Sequence, residues 1–353
     1  MLRPSDRLAG AVLAAGIAAL AAAGGCDWFE AQPEENWPPE TELTAAPPEY
    51  GAIRGQDVTF AWAGSDLDGQ VVSYEWAYDN LAGPEWVPTA ETSVVIEDVT
   101  LGDHYFQVRG VDDRGALGPA GEPYFFTAGI PRLVLAEFLT TNICRNCPNA
   151  EEALNDILGE VGVPSLAVVG YHDLTASDKL ATDETVERID WYTSTGIPAD
   201  QWPIVLFDGG SSVEGAETPE DARALYAAKI AQRLAVGSPV RLTIAGTLGS
   251  GEGSVAVGVK VLASLPGGAP VMHLVVVEDS VRYKGYFADI YDFVARDLLE
   301  DEALTIAAAG DSVLVERVFP VGETWAVDNL DVVAFIQDTE SREIIQAVRL
   351  KQD

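Results

Sequence analysis

The chain has 353 residues and is strongly acidic, with 56 Asp and Glu against 21 Lys and Arg and a formal net charge of −35 at pH 7. Phosphate backbones and anionic lipid headgroups repel such a surface, which argues against nucleic-acid binding and against membrane attachment through charge. Because 48% of the residues are hydrophobic, the chain can bury substantial cores, and its length predicts two or three domains.

The first 26 residues carry a targeting pattern. Arg3 and Arg7 precede sixteen uncharged, mostly apolar residues, Leu8–Ala23, which are followed by two glycines and Cys26. Sixteen residues are fewer than the ~20 that span a bilayer, and small residues before a cysteine suit cleavage. The pattern resembles a bacterial lipoprotein signal peptide over residues 1–25, which implies lipid on Cys26. An ordinary secretory peptide and a short uncleaved anchor are the alternatives, and all three place the chain in an oxidising compartment.

Residues 26–50 are predicted to form an extended tether. The stretch Asp27–Tyr50 holds seven acidic residues, no basic residue and two Pro-Pro pairs. Like charges and prolines disfavour a packed core, so this segment is expected to hold the globular part away from the membrane.

Residues 51–128 show short strands between turn signals. Val58–Trp62 and His104–Val111 alternate apolar and polar residues, and about seven such strands fit a small β-sandwich. Two segments, Asp68–Trp76 and Gly102–Arg109, resemble fibronectin type III and immunoglobulin-like modules of bacterial surface lipoproteins. Asp66 and Asp68 fit either a calcium site or a plain Asp/Gly turn, since the further spaced ligands of an EF-hand loop are missing.

Two cysteines, Cys144 and Cys147, lie between an apolar run and a helix-like segment, Asn149–Glu160. A helix N-terminus stabilises a thiolate, so this position makes thiol chemistry the first hypothesis. Pro148 fits the first helical turn, where its missing N–H costs nothing. A disulfide across so short a loop stabilises a fold by only about 2 kcal/mol, which makes stabilisation a weak reason for the pair.

Half a zinc site has the same spacing as this cysteine pair. Zinc requires about four ligands, however, and the remaining candidates, His104, His172 and His273, are scattered over three segments. The sequence therefore predicts neither a metal site nor a cofactor.

Residues 129–237 alternate strands and helices, which is typical of an α/β unit. The predicted elements after the cysteines are a strand Leu166–His172, a helix Asp183–Thr195, a strand Ile204–Phe207 and a helix Pro219–Leu234.

This unit resembles a thioredoxin fold, on the evidence of Ala136–Phe138 before the cysteines and Trp202–Gly209 after them. In that fold a cis-proline begins the strand that faces the cysteine pair, and its neighbour's backbone holds the client. Pro203, with Trp202 before it, matches that position, and X-Pro bonds are the only ones for which cis is cheap. An ordinary trans proline and a cis bond at Pro198 are the alternatives.

Three further residues are auxiliary candidates. Glu137 stands where thioredoxins often keep a buried acid that moves protons for the second cysteine, or it is a solvated strand-edge residue. His172 ends the next strand, either near the pair or as a half-buried histidine. Arg145 lies between the cysteines and lowers the energy of a thiolate. The tryptophan that commonly precedes the first cysteine in thioredoxins is replaced by Asn142-Ile143, which argues against high reductase efficiency.

Residues 238–353 are β-rich and predict a second β-sandwich. Valines alternate strictly from Val255 to Val261, and further strands are predicted over Met272–Val277, Ser312–Phe319, Leu330–Gln337 and Glu343–Leu350. The predicted fold is therefore multidomain: a β-sandwich, a thioredoxin-like α/β domain and a second β-sandwich.

A set of motifs over Pro131–Gln352 resembles the outer-membrane lipoprotein family named for a twenty-eight-kilodalton outer membrane protein. The motifs are Glu137-Phe138, the cysteine pair with Pro148, Tyr171-His172, Arg188 with Trp191-Tyr192, Phe207–Gly209, Val294–Leu298 and Val333–Asp338. The resemblance implies a thioredoxin-like centre and a lipid-anchored location in the cell envelope, at the outer membrane. The first-described member of the family was linked to surface adhesion.

Two functions from different classes remain open. In the first, Cys144 attacks and Cys147 resolves a mixed disulfide with an envelope or surface protein. In the second, the two cysteines form an inert bridge, and the protein is a non-enzymatic surface adhesin or scaffold. A fold alone does not decide between them.

Overall fold

A computed structural model describes residues 35–174, 178–197, 201–265, 268 and 270–351. Within these residues the chain forms 21 strands and three α-helices in a β-rich arrangement of two parts. The first part is a β-sandwich, and the second is built around an eight-stranded sheet. The predicted signal peptide and Cys26 lie outside the described residues.

The N-terminal sandwich consists of a three-stranded and a five-stranded sheet. The first sheet has the order β1 (Glu40–Ala45), β3 (Val58–Ser65) and β6 (Ser93–Ile96), and the second β2 (Tyr50–Ile53), β8 (Tyr124–Gly129), β7 (Gly102–Asp112), β4 (Val71–Tyr78) and β5 (Val87–Thr89). Alternate residues of β3 and β7 point inward, so that the rings of Phe60 and Phe106 stack at 3.9 Å in the core. The Asp68 N–H donates to Asp66 Oδ1 at 3.3 Å, a hydrogen bond typical of an Asp turn, and the Asp68 carboxylate pairs with Arg114 at 3.0 Å.

The tether predicted for residues 26–50 is wrong for its second half. Strand β1 pairs antiparallel with β3. Ahead of it, Asn36 Nδ2 donates to Asp112 at 2.7 Å and Trp37 N–H donates to Asp68 at 3.1 Å. An edge strand satisfies its backbone by pairing while its acidic side chains, here Glu40 and Glu42, remain in solvent.

The second part begins with the predicted α/β alternation. Its elements are β9 (Val134–Thr140), α1 (Cys147–Val161), β10 (Leu166–His172), α2 (Asp183–Ser194), β11 (Ile204–Phe207), β12 (Ser211–Glu214) and α3 (Pro219–Leu234). The strands lie in the order β12-β11-β9-β10, with β10 parallel to β9 and β11 antiparallel to it. Helix α1 packs against α3, whereas α2 packs against β10.

The remaining strands do not form a separate domain. They are β13 (Val240–Leu248), β14 (Glu252–Val261), β15 (Pro270–Glu278), β16 (Val281–Arg282), β17 (Ile290–Tyr291), β18 (Val294–Ala303), β19 (Ser312–Pro320), β20 (Leu330–Asp338) and β21 (Ile344–Lys351), with a 3₁₀ turn at Val327–Asn329. Strands β18, β15, β20 and β21 continue the sheet from β10, and β18 runs parallel to β10 where Val294 lies opposite Gly170.

The predicted boundary between residues 237 and 238 is therefore corrected. Strands β13, β14 and β19 do pack as a second sheet on the C-terminal strands, but those strands belong to the same sheet as β9 and β10. The reason is visible in β15, where Leu274 and Val276 join the core under the three-stranded sheet and Val275 and Val277 join the core of the α/β elements. A strand that is apolar on both faces needs a layer on each side.

Candidate functional site

A disulfide joins Cys144, in the loop between strand β9 and helix α1, to Cys147 at the start of α1, with a Cα–Cα distance of 5.4 Å. The helix begins at Cys147, and Pro148 occupies its first turn. The second cysteine thus stands at the positive end of the helix dipole, where a thiolate is stabilised.

Both cysteines are buried, Cys144 at 8% exposure and Cys147 at 4%. They open onto a crevice of about 10 Å³ whose other lining residues include Asn142, Glu151 and Tyr291. A cavity of this size has room for about one water molecule. The disulfide is therefore closed to a protein-sized client in this conformation.

A hairpin from the C-terminal half of the chain closes the crevice. This cover hairpin comprises β16, β17 and the loop between them, residues 281–291, and its Phe287 and Tyr291 line the crevice. The Tyr286 N–H donates to the Asn142 carbonyl at 3.2 Å, and Asn142 Nδ2 donates to the Tyr283 hydroxyl at 3.3 Å. Few bonds hold the hairpin to the cysteine loop, while the side chains of Tyr286 and Phe287 are exposed.

His172 is buried, and it reaches the cysteine loop through one intermediate residue. Its Nδ1 lies 2.8 Å from Asp178 Oδ2, and the same oxygen accepts the Asn142 N–H at 2.7 Å. Burial acts to raise the pKa of Asp178, but the hydrogen bond and charge of His172 together with backbone N–H groups lower it overall. The His172 ring packs edge-on against Tyr291 at 5.4 Å. His172 therefore supports the site without lining the crevice.

Glu151 also lines the crevice and was not among the site residues predicted from the sequence. It lies four residues after Cys147 in α1, on the same helix face. Burial raises its pKa to about 8; a hydrogen bond from the Asp292 backbone lowers it, and the charges of Asp292 and Asp279 raise it further. The i, i+4 spacing from Cys147 could have placed Glu151 on the helix face of the cysteine. The acidic neighbours that raise its pKa, Asp279 and Asp292, lie on either side of the cover hairpin and are distant in sequence.

Glu137 lies in a different environment from the one predicted. It is fully buried, so the solvated-edge interpretation is wrong. Arg188 Nη2 donates to its Oε1 at 2.7 Å, and the Tyr192 hydroxyl donates to its Oε2. Gln337 Nε2 donates in turn to the Tyr192 hydroxyl at 3.1 Å. These partners belong to α2 and β20, so the network ties Glu137 to those elements and not to the cysteines.

The predicted cis bond is confirmed at Trp202-Pro203. Ile204 lies opposite Leu139 in the β11–β9 pairing. Pro203 therefore lies at the same end of the sheet as the C-terminus of β9, where the cysteine loop begins. Trp202 is partly buried against the α/β core, and the Pro203 carbonyl accepts the Gly215 N–H at 2.7 Å. Arg145 is exposed, and the competing Pro198 lies outside the described residues.

Comparison with known proteins finds similar solved structures but no matching protein family or curated sequence. Among solved structures, HBP35 of Porphyromonas gingivalis matches with 19% identity and a TM-score of 0.52, over 63% of this chain and 76% of that one.

Two further structures match smaller parts of the chain. A domain of the outer membrane lipoprotein Omp28 from Porphyromonas gingivalis matches with 16% identity and a TM-score of 0.24, over 33% of this chain and 89% of that one. The fibronectin(III)-like modules of Clostridium thermocellum CbhA match with 19% identity and a TM-score of 0.22, over 25% of this chain and 96% of that one. Among these three, HBP35 covers the largest share of this chain, and at 19% identity its likeness concerns fold alone.

Among the described residues, no helix has the length and apolarity needed to cross a membrane.

Proposed function

We propose that this protein performs thiol–disulfide exchange through Cys144 and Cys147, on a thioredoxin-like α/β unit. The observation that carries the proposal is the disulfide at the start of α1, just after β9 and at the end of the sheet where Pro203 precedes β11. The strand order β12-β11-β9-β10, with helix α1 following β9, supports this proposal.

The exchange proceeds in two steps that conserve electrons. The Cys144 thiolate attacks a client disulfide, forms a mixed disulfide and releases one client thiolate. The Cys147 thiolate then attacks Cys144 Sγ, which closes the internal disulfide and releases the second client thiolate. Two electrons pass to the client, and the reverse sequence oxidises a dithiol client. The direction depends on the two reduction potentials.

Cys144 is the attacking thiol in this proposal because it precedes the helix and is the more exposed of the two cysteines. Cys147 is locked into the first turn of α1. The cover hairpin has to move away before a client sulfur can reach Cys144, since the crevice holds about one water molecule.

The test uses the Cys26→Ala chain, in which Cys144 and Cys147 are the only cysteines. We expect turnover in insulin reduction or in oxidative refolding of a reduced client, and a trapped mixed disulfide with Cys147→Ser but not with Cys144→Ser. The double Cys→Ser variant is the matched control. If the intact pair shows no turnover in either assay, and its reduction potential lies far below the thioredoxin range near −270 mV, the pair is a structural bridge.

A second candidate, a non-enzymatic adhesin or envelope scaffold, is favoured by the closed crevice. Both cysteines are buried in a crevice that the cover hairpin also lines, as expected for an inert bridge. In this alternative the N-terminal sandwich and the exposed face of the sheet β13-β14-β19 make the contacts with envelope or surface proteins.

For location, we propose attachment to the cell envelope, at the outer membrane, through lipid on Cys26. The short apolar segment that ends at two glycines and Cys26 supports this proposal. Mass spectrometry of the protein from its native host should find a lipidated N-terminal Cys26. An unmodified residue at or beyond this position as the mature N-terminus would contradict the proposal.

A further inference from the structure

A second cavity lies against helix α2 and shares no lining residue with the disulfide crevice. This α2 cleft has a volume of about 390 Å³ and is lined by side chains of α2, β15, β18 and β20 and by Thr339. Its volume falls within the range of small-molecule sites. Trp191, Leu298 and Leu299 give it apolar walls.

Gln337 is fully buried and places an unpaired acceptor at the cleft. Its Nε2 donates to the Arg342 carbonyl at 2.8 Å and to the Tyr192 hydroxyl at 3.1 Å. Because a carbonyl can only accept, the Arg342 bond fixes which end of the amide is Oε1. Among the described residues, Gln337 Oε1 has no hydrogen-bond partner. A buried carbonyl oxygen without a donor is costly, so a donor from a ligand would stabilise it.

His273 supplies a second acceptor. Its Nδ1 lies 2.7 Å from Asp301 Oδ1, and in the neutral ring this carboxylate favours the tautomer with the proton on Nδ1. The other ring nitrogen, Nε2, is then an acceptor, and it is buried with no partner within the described part of the chain. The cleft therefore offers two unpaired acceptors to a ligand that carries N–H donors.

Apart from Arg188, which is paired with Glu137, the charged groups that line the cleft are carboxylates. Glu184, Glu187 and Asp301 are exposed carboxylates of its lining, and the lining guanidinium, Arg188, is matched by the buried Glu137. A hydrogen bond from the Thr182 side chain lowers the pKa of Glu184, which keeps it ionised. Burial raises the pKa of Asp297, beside the cleft residue Leu298, and the Glu184 charge raises it further. The cleft thus combines apolar walls with a negative potential.

We propose that the α2 cleft binds a small amphipathic organic cation, such as an aromatic amine. Its ammonium group donates to Gln337 Oε1 and His273 Nε2, and its apolar body packs against Leu298 and Leu299. An anion of the same shape is repelled by the three carboxylates, and a neutral alcohol lacks the charge that they attract. The site is separate from the cysteines and stands whether or not they exchange disulfides.

The experiment is a calorimetric titration of the full chain at low salt with three probes of similar shape: phenethylamine, 2-phenylethanol and 3-phenylpropionate. We expect phenethylamine to bind about tenfold more tightly than the alcohol, and the carboxylate not to bind. Added salt should weaken amine binding, because the rim carboxylates are exposed. Equal affinities for the three probes, or no binding of any at millimolar concentration, would overturn the proposal.

Substitutions of the cleft carboxylates test whether the amine binds in the α2 cleft. Glu187→Gln removes an exposed cleft charge at constant side-chain size, and we expect the amine affinity to fall several-fold, and further when Asp301→Asn is added. Glu316→Gln is the matched control, because Glu316 is exposed on β19 and does not line the cleft. Amine binding that is unchanged in the double variant, or weakened equally by Glu316→Gln, would exclude the α2 cleft as the site.

Discussion

Two carboxylates in the α/β part of the molecule have opposite surroundings. Glu137 on β9 accepts two N–H groups of Arg188 and the hydroxyl of Tyr192, so its charge is matched inside the protein. Glu151 on α1 accepts only a backbone N–H of Asp292 among the groups that affect its pKa, and the charges near it are acidic. The first carboxylate joins α2 to β9, whereas the second faces the disulfide.

The difference indicates a stabilising role for Glu137 and a titrating role for Glu151. A buried ion pair such as Glu137 with Arg188 is costly to break. Glu151 has no cationic partner within the part of the chain that the structure describes, and with a pKa raised to about 8 it gains and loses a proton in the range in which thiols also titrate. In the proposed exchange, Glu151 and not Glu137 is the acid that lines the crevice with the cysteines, whereas the thioredoxin resemblance implies Glu137.

Arg188→Met is the most damaging change that the comparison predicts. It leaves the Glu137 carboxylate buried without its counter-charge, and we expect the free energy of unfolding to fall by about 3 to 5 kcal/mol. Urea denaturation measures the loss. Arg223→Met, which removes an exposed pair with Glu160, is the control and should cost less than about 1 kcal/mol. Equal losses for the two variants would show that burial of the Glu137 pair does not matter.

Glu151→Gln should change how stability depends on pH. The folded-state pKa of Glu151 is raised from 4.5 to about 8, so between these values the folded protein keeps a proton that the unfolded chain has lost. The stability that this proton contributes is complete below pH 4.5 and is lost as pH rises to about 8. Glutamine cannot ionise, so we expect equal stabilities at low pH and a variant more stable by about 4 to 5 kcal/mol at about pH 9, the equivalent of a pKa raised from 4.5 to about 8.

Denaturation of both proteins at several pH values measures this difference. Glu152→Gln on the exposed side of the helix is the control and should show no such divergence. Parallel curves for wild type and Glu151→Gln over this range would contradict the raised pKa.

Glu151→Gln should also make the Cys144 thiol more reactive, by a smaller factor. In the reduced Cys147→Ser background, ionised Glu151 opposes formation of a thiolate, so its replacement should speed alkylation of Cys144 about threefold at pH 8 to 9. The rate of iodoacetamide modification against pH measures the effect. Glu137→Gln should leave this rate unchanged, and an equal acceleration in both variants would remove the distinction between the two carboxylates.

The smallest effect is expected at the cover hairpin. Tyr283→Phe deletes the hydroxyl that accepts from Asn142, a single bond worth about 1 kcal/mol, and should let dithiothreitol reduce the disulfide about twofold faster. Tyr286→Phe is the matched control, because Tyr286 contacts Asn142 through its backbone N–H, which the substitution retains. If neither variant changes the reduction rate, the Tyr283 bond does not restrict access to the cysteines.

The local pattern of residues was sufficient for the elements that carry the candidate site. Leu166–His172 and Pro219–Leu234 were predicted with their observed bounds, because burial, caps and prolines act within a few residues. The disulfide at the start of a helix and the cis bond before Ile204 were also open to sequence reasoning. His172 was recognised as a candidate, although its link through Asp178 was not.

Only the tertiary structure decided what surrounds these elements. The cover hairpin lies some 140 positions beyond the cysteines that it closes, and the Glu137 network draws Gln337 from β20. Strand β18 joins β10 through backbone hydrogen bonds, which are the same for any sequence. The local sequence of neither strand therefore predicts that they share a sheet. Period and composition specify whether a segment is a strand and which of its faces are apolar. Which strand becomes its neighbour depends on packing the whole chain at once, and at this site that packing brought acids and aromatic rings, not solvent, to the disulfide.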